Sequence, residues 1–440
     1  MRGGRRGVGP AERLGRRFND EISACGTAAG VLRMLEHHDR AFGTVHLVTA
    51  LHRIAKSGDG TAISDDARLG KLMELTVAAV TQAVGLEVSP RNISNTAWAL
   101  AALIMLDQPC LESLASSSRA RLREFNPQGL SNPLWSVAAS ELDHSPLMYA
   151  LSAESLASIR HFQPQNLGNT VWALAKILIQ DSPLFHAIAA SALKKLHHLN
   201  AQEVVNIAWA FARCGVLHVP LLESLSPKAI RMLAEWELRD LSNTAWAFSL
   251  LGVRDRPLLA ALSAASIARI SEADVQNLSM TAWSFSALGV LDLPLMEAIA
   301  SSALRKRAEL DPQALAITAW SFAALGVLPA PLLHAISAQS LRSMPQFAPQ
   351  HLTEPAWAFS TLLVSDPPLL PAIAAEARRK MLQGGPQDLS LTAWAYAASS
   401  FRDQPLLDAI SASSSRKLPE YRSNEFSNTV WAFATLRYCD

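Results

Sequence analysis

The chain is poor in charge: 18% of its 440 residues are Asp, Glu, Lys or Arg, while half are hydrophobic. Its mean hydropathy is +0.14. That composition is too apolar for a disordered chain and unusually apolar for a soluble globular one. The net charge of +1 argues against a strongly basic nucleic-acid binder, although a sum does not reveal segregated patches. Cysteine is scarce. Cys25, Cys110, Cys214 and Cys439 show no CxxC spacing, so neither a disulfide framework nor a zinc site is indicated, and a reduced compartment is expected. No apolar run reaches the roughly 18–20 residues of a membrane span, so no membrane partner is expected. A glycine-rich phosphate loop, a GxSxG elbow and an HExxH helix are absent, and the carboxylates form no recurring pair. The pairs His37-His38 and His197-His198 are adjacent, which points them to different sides of a helix. No catalysis, metal, cofactor or small-molecule substrate is expected.

Tryptophan is in excess, with 11 against 4 tyrosines. Trp98, Trp135, Trp172, Trp209, Trp246, Trp283, Trp320, Trp357, Trp394 and Trp431 follow one another at intervals of 37 residues, and Trp236 alone lies off the series. A proline column from Pro109 to Pro405 keeps the same period. Fixed self-similarity at such a period predicts a solenoid rather than separate globular domains. Residues 238–252 are Ala/Leu-rich and end in Gly252, a helix stop; Asp255 and Pro257 then open a second helix. Each repeat therefore reads as helix A, a short loop, helix B and a short loop. The predicted fold is all-α, a right-handed-type alpha-solenoid of about eleven two-helix repeats of 37 residues.

The domain reading has three parts. Residues 1–20 form a basic leader or disordered tail, with six arginines in the first 17 positions; such a leader resembles an organelle transit peptide but is short and glycine-rich. Residues 21–89 form a degenerate N-terminal capping repeat with an insertion, and Leu51 takes the tryptophan position. Residues 90–440 are the tandem repeats, the last incomplete, which suggests a fragment of a longer chain. Pro133 and Pro355, two before tryptophan, would break a helix interior, so helix A is expected to start late in those repeats.

Columns along helix A can be placed around its axis at about 100° per residue. The aromatic two after tryptophan (Phe211, Phe248, Phe285, Phe322, Phe359, Tyr396, Phe433) lies about 200° from it, which predicts apolar faces on two nearly opposite sides. Tryptophan is flanked by small residues and is read as core rather than as a stacking platform for bases. Truncation to Ala would then cost about 3–5 kcal/mol. A polar strip remains at seven, six and three before tryptophan and one and four after.

Seven before is mostly glutamine, as at Gln128, Gln165, Gln202, Gln276, Gln313, Gln350 and Gln387. Six before is variable: Asn92, Gly129, Asn166, Glu203, Asp240, Asn277, Ala314, His351, Asp388 and Glu425. Three before is Asn95, Asn132, Asn169, Asn206, Asn243 and Asn428, but Met280, Ile317, Glu354 and Leu391 elsewhere. Fixed polar members beside a variable one suit a one-base-per-repeat reader. An amide ladder that satisfies backbone groups between helices is the alternative for the asparagines. Cations gather near the end of helix B: Arg119, Arg121, Arg123, Arg160, Lys194, Lys195, Arg231, Arg269, Arg305, Lys306, Arg307, Arg342, Arg378, Arg379, Lys380, Arg416 and Lys417. They are candidate phosphate contacts, against the alternative that cations simply favour helix C-termini.

The segments Phe125-Asn-Pro-Gln128, Phe162-Gln-Pro-Gln165 with Asn169 and Trp172, and Leu241-Ser-Asn243 with Trp246 and Gly252 resemble octotricopeptide repeats, whose core is F-x-x-Q-x-L-x-N-x-x-W-A-x-A-x-L-G. They are similar to the helical repeats of FAST kinase-like proteins, and the N-T-A-W-A-F variant resembles families expanded in dinoflagellate algae. The resemblance covers residues 90–440. It implies an alpha-solenoid that binds single-stranded organellar RNA, mRNA or rRNA, in a mitochondrion or chloroplast and affects its stability, processing or translation. Protein partners are the competing reading, since solenoids present long surfaces to either ligand. The repeat is one residue shorter than the family's nominal length, and no RAP domain follows, so binding without processing chemistry is expected.

Overall fold

The computed structural model describes residues 10–37, 43–81, 88–142, 144–364 and 366–438; residues 1–9, His38 and Cys439 lie outside them. Every regular element among the described residues is helical. The chain divides into two units, Met1–Leu225 and Ser226–Asp440. In each unit successive A helices pack side by side and each B helix packs back on its own A helix, the layering of an alpha-solenoid.

The A helices are 13 residues long, as in Pro164–Lys176, Ala201–Arg213 and Val275–Ala287. Proline at the first helical position and a capping residue before it open most of them. All ten stop at the same place, six residues after tryptophan. Gly215, Gly252, Gly289 and Gly326 stand there at positive φ, and Ile104, Glu141, Leu178, Leu363, Ser400 and Arg437 adopt φ of 52–59° in the same column. The following residue turns its N–H back onto the carbonyl of the buried aromatic, as Val216 does to Phe211 at 2.8 Å. The B helices open on aspartates: Asp107, Asp181, Asp255, Asp292 and Asp403 each accept a backbone N–H of the first turn.

The core differs from the sequence reading in one decisive respect. Phe211, Phe248, Phe285, Phe322, Phe359 and Tyr396 are buried to within 1% of completely, as expected of the column two after tryptophan, whereas Phe433 is half-buried. The periodic tryptophans are not core. Those from Trp98 to Trp394 are half-buried and Trp431 is 47% exposed. Trp236, the one outside the series, is the one fully enclosed, at 1% exposure. Small residues one and three after each periodic tryptophan let adjacent A helices approach, but the indole itself is only half-buried.

Two further expectations are corrected. Pro133 and Pro355 sit inside full-length helices, Pro127–Ala139 and Pro349–Thr361, and are buried. Packing from flanking helices outweighs the loss of one intrahelical hydrogen bond. In the degenerate repeat the helix Thr44–Lys56 places His52, not Leu51, in the tryptophan register; Leu51 is fully buried, and the His52 ring lies 4.9 Å from Trp98. Ahead of it, helices Pro10–Ala24 and Ala28–Glu36 both pack on Thr44–Lys56. The first of these takes up the second half of the arginine-rich leader and buries Ile22.

The two aromatic columns should respond differently to truncation. Phe211→Ala is expected to lower the free energy of unfolding by about 3–5 kcal/mol, and Trp172→Ala by no more than about 2 kcal/mol. Denaturant titrations of both variants check this; equal losses would return tryptophan to the core.

Candidate nucleic-acid interface

The solvent-facing stripe of each A helix contains the residues seven and three before tryptophan, tryptophan itself, and the residue four after. At about 100° per residue these lie within about 60° of one another. Tryptophan thus lies at one edge of this stripe, with the other three positions to one side of it. Neighbouring indoles form two ladders, one in each unit. Centroids are 6.4–6.5 Å apart from Trp98 through Trp209 and 6.1–6.3 Å apart from Trp320 through Trp431, with interplanar angles near 30°. The glutamines seven before tryptophan are exposed along one edge.

The variable column six before tryptophan is occupied by the architecture. It is the third residue of helix A, and its side chain reaches back to cap the helix. Asn166 accepts from Gln163 N–H (3.0 Å), Glu203 from Asn200 (2.7 Å), Asp240 from Glu237 (3.1 Å), Asp388 from Gly385 (2.9 Å) and Glu425 from Arg422 (2.8 Å). The cap residue's own side chain serves a different donor, the N–H of the third position, and Asn200 does so for Glu203 at 3.0 Å while Glu203 caps in return. Ser89, Asn126, Asp274 and Asp311 accept from the N–H of Asn92, Gly129, Asn277 and Ala314. The amides of Asn166 and Asn277 also bridge repeats, through Ser131 (3.2 Å) and Ser242 (2.9 Å). His351 is partly buried beside Gln350, and its imidazole is held below the usual range by burial, against Asp311 and Asp388. Five side chains of the column are thus engaged in capping, and Gly129 and Ala314 occur where Asn126 and Asp311 cap.

The asparagines three before tryptophan behave otherwise. Asn95, Asn132, Asn169, Asn206, Asn243 and Asn428 are partly exposed, and none makes a side-chain hydrogen bond among the described residues. No inter-repeat amide ladder forms. Each amide has a donor and an acceptor directed to solvent beside an indole.

The helix-B cations divide into two sets. In six repeats the cation 14 before the next tryptophan closes its own hairpin by donating to the carbonyl just ahead of helix A. The donors are Arg121 to Val88, Lys195 to Phe162, Arg269 to Trp236, Lys306 to Ala273, Lys380 to Phe347 and Lys417 to Gly384. Arg123, Arg160, Lys194, Arg231, Arg305, Arg342, Arg379 and Arg416 are exposed at the ends of B helices, and none lines a groove along the tryptophan ladder. The stripe carries cations of its own that the sequence reading did not single out.

In the first unit these are Lys56, Arg91, Lys176 and Arg213, and no carboxylate occupies a stripe position from helix Thr44–Lys56 to helix Ala201–Arg213. Lys176 pairs with Glu141 at the helix end, 2.9 Å away. His52, Arg53, Lys56, Arg91 and Asn95 line a groove of about 420 Å³. Burial, with Lys56 and Arg91 beside it, brings His52 down to about 4, so its imidazole is neutral at pH 7. Helical angle arithmetic could have found these cations, since they share the register of the glutamines or lie one turn after tryptophan.

The second unit is different beyond Asn243. Met280 and Ile317 replace asparagine in a groove of about 370 Å³ between Trp246 and Ile317. The next groove, about 640 Å³, has Trp320 and Trp357 on its wall with Glu354, Asp388, Glu420 and Glu425, against one cation, Arg422. Glu354 Oε2 is buried without a hydrogen-bond partner. Burial first, and the neighbouring Asp388 second, push its carboxyl up to about 7.

Residues 156–367, just under half of the chain, match the family model described as RNA-editing substrate-binding complex 6 protein. No curated protein matches the chain. Among solved structures, the chain is similar to one titled a homology model of the full-length AP-3 complex in an intermediate open conformation. The identity is 11%, the match covers 97% of this chain and 77% of that one, and the TM-score is 0.35, too low to bear on fold or function. No described helix is long and apolar enough to cross a membrane, and no cluster of three metal-ligating side chains occurs among the described residues.

Glu354 gives the site a pH signature. Its folded-state pKa is raised from 4.5 to about 7, so the stability associated with the protonated carboxyl is present below pH 4.5 and lost as pH rises through 7. Glu354→Gln should therefore stabilise the protein by about 2–3 kcal/mol at pH 8 and by little at pH 4.5. Unfolding midpoints at the two pH values test this; an equal gain at both would contradict it.

Proposed function

We propose that the A-helix stripe of the first unit binds single-stranded RNA. The observation that carries this reading is the row Asn95, Asn132, Asn169 and Asn206, whose amides have no partner within the described residues and alternate with half-exposed indoles on a stripe free of carboxylates. Each repeat offers a base an amide for its Watson–Crick edge and an aromatic surface for its face. Lys56, Arg91, Lys176 and Arg213 supply phosphate contacts on the same surface. The match of residues 156–367 to a family described as RNA-editing substrate-binding supports an RNA ligand. The protein binds without catalysing in this reading, and an organelle is where such a ligand is sought, given the arginine-rich first residues.

Two of the sequence-derived candidate sets are set aside in this proposal. The column six before tryptophan is engaged in capping, and the helix-B cations either close hairpins or lie off the stripe. The footprint shrinks accordingly, from the eight to ten nucleotides of a reader along the whole array to about four or five.

The test is affinity for mixed-sequence single-stranded RNA as a function of salt. Four phosphate contacts give a log–log slope near −3. The Lys56/Arg91/Lys176/Arg213→Gln variant should flatten that slope, and Asn132/Asn169→Ala should narrow the spread of affinities among RNA sequences. Unchanged binding in both variants, with loss on replacing Arg305, Arg342, Arg379 and Arg416, would move the interface to the B helices.

A further inference from the structure

The 640 Å³ groove of the second unit has the wrong electrostatics for a phosphate chain. Glu354, Asp388, Glu420 and Glu425 line it, and Arg422 is its one lining cation. Asp388 and Glu425 each spend one oxygen on a cap. Nothing in the capping scheme requires a carboxylate at Glu354: the equivalent positions elsewhere are Asn, Met, Ile or Leu. Its Oε2 is buried without a partner at the groove wall, beside Trp357, whose ring is 6.1 Å from Trp320. A buried carboxyl group is costly when left unpaired and is satisfied by a donor brought in from outside.

We infer that this groove receives an arginine side chain from a basic protein segment, with the guanidinium paired to Glu354 and laid against the Trp357 and Trp320 indoles. Charge complementarity selects the occupant. Four carboxylates with one cation attract a basic segment and repel RNA. The half-exposed indoles favour a flat, weakly hydrated cation over an ammonium, and the guanidinium fork matches a carboxylate in two parallel hydrogen bonds. A- helix neighbours in a solenoid are spaced about 8–10 Å apart, and an extended peptide advances about 3.3 Å per residue. An arginine at every third position therefore keeps step with the repeats. The surface is separate from the stripe proposed for RNA and stands without it.

The experiment is fluorescence anisotropy with the full chain and a labelled (Arg-Gly-Gly)₄ peptide, compared with (Lys-Gly-Gly)₄ and a single-stranded RNA of mixed sequence. The arginine peptide is expected to bind and the lysine peptide to bind several-fold more weakly. Glu354→Gln should weaken the arginine peptide at least tenfold, while Glu297→Gln, a change at an exposed carboxylate outside the groove, leaves it unchanged. RNA affinity should be the same in both variants, so loss of RNA binding through the first unit and loss of peptide binding through Glu354 are separately readable. Three results overturn the inference: no saturable peptide binding at low salt, equal peptide binding by Glu354→Gln and the parent chain, or a loss of RNA affinity on replacing Glu354. The last would assign the groove to nucleic acid.

Discussion

Everything in the repeat depends on the burial of one apolar side chain, the residue two after tryptophan, which is Leu100, Val137 or Leu174 in the first repeats and aromatic from Phe211 onward. Phe211 and its equivalents fill the space between A layer and B layer, and their carbonyls accept the hydrogen bond that turns the chain out of helix A. Once that side chain is fixed inward, helical geometry leaves tryptophan and the positions seven and three before it on the outer surface. Burying that side chain thus sets the rotation of every A helix and produces the external stripe. The left-handed turn is enforced strongly enough that Ile104, Leu178 and Leu363 adopt it without glycine's freedom.

The period, the two-helix unit, the caps and the buried apolar column two after tryptophan were legible in the sequence because each rests on local chemistry repeated along the chain. The placement of tryptophan was not. Its small neighbours, as at Ala97 and Ala99, are equally consistent with an indole pressed into a core and with two backbones brought close beneath an exposed one. The polar strip and tryptophan are only about 60° apart or less, so the angle arithmetic contained the answer, but hydrophobicity was allowed to outweigh it. Pro133 and Pro355 went the same way: a local rule yielded to the packing of neighbouring helices.

The candidate site was legible in part. Asn95, Asn132, Asn169 and Asn206 emerge with free amides, but side chains of the column six before tryptophan are engaged in capping. Asn166, Glu203 and Asp388 each cap the N–H three residues before them, Glu203 together with Asn200, while Gly129 and Ala314 occur where Asn126 and Asp311 cap. A column viewed alone looks like a code; viewed with its cap residue it is one half of a reciprocal pair that satisfies two different N–H groups of the helix start. The cation column likewise mixes hairpin closers such as Lys195 and Lys306 with exposed residues such as Lys194 and Arg305, and spacing alone does not separate them.

The stripe is therefore one geometry with two chemistries: amide and cation beside indole in the first unit, apolar and acidic beside indole in most of the second. The most direct measurement is photocrosslinking of thiouridine-substituted single-stranded RNA to the full chain, with the adducts mapped by mass spectrometry. Adducts on the A helices of residues 44–213, at the tryptophans and the asparagines three before them, are the predicted result. Adducts concentrated on the ends of the B helices, or on residues 280–425, would contradict the account.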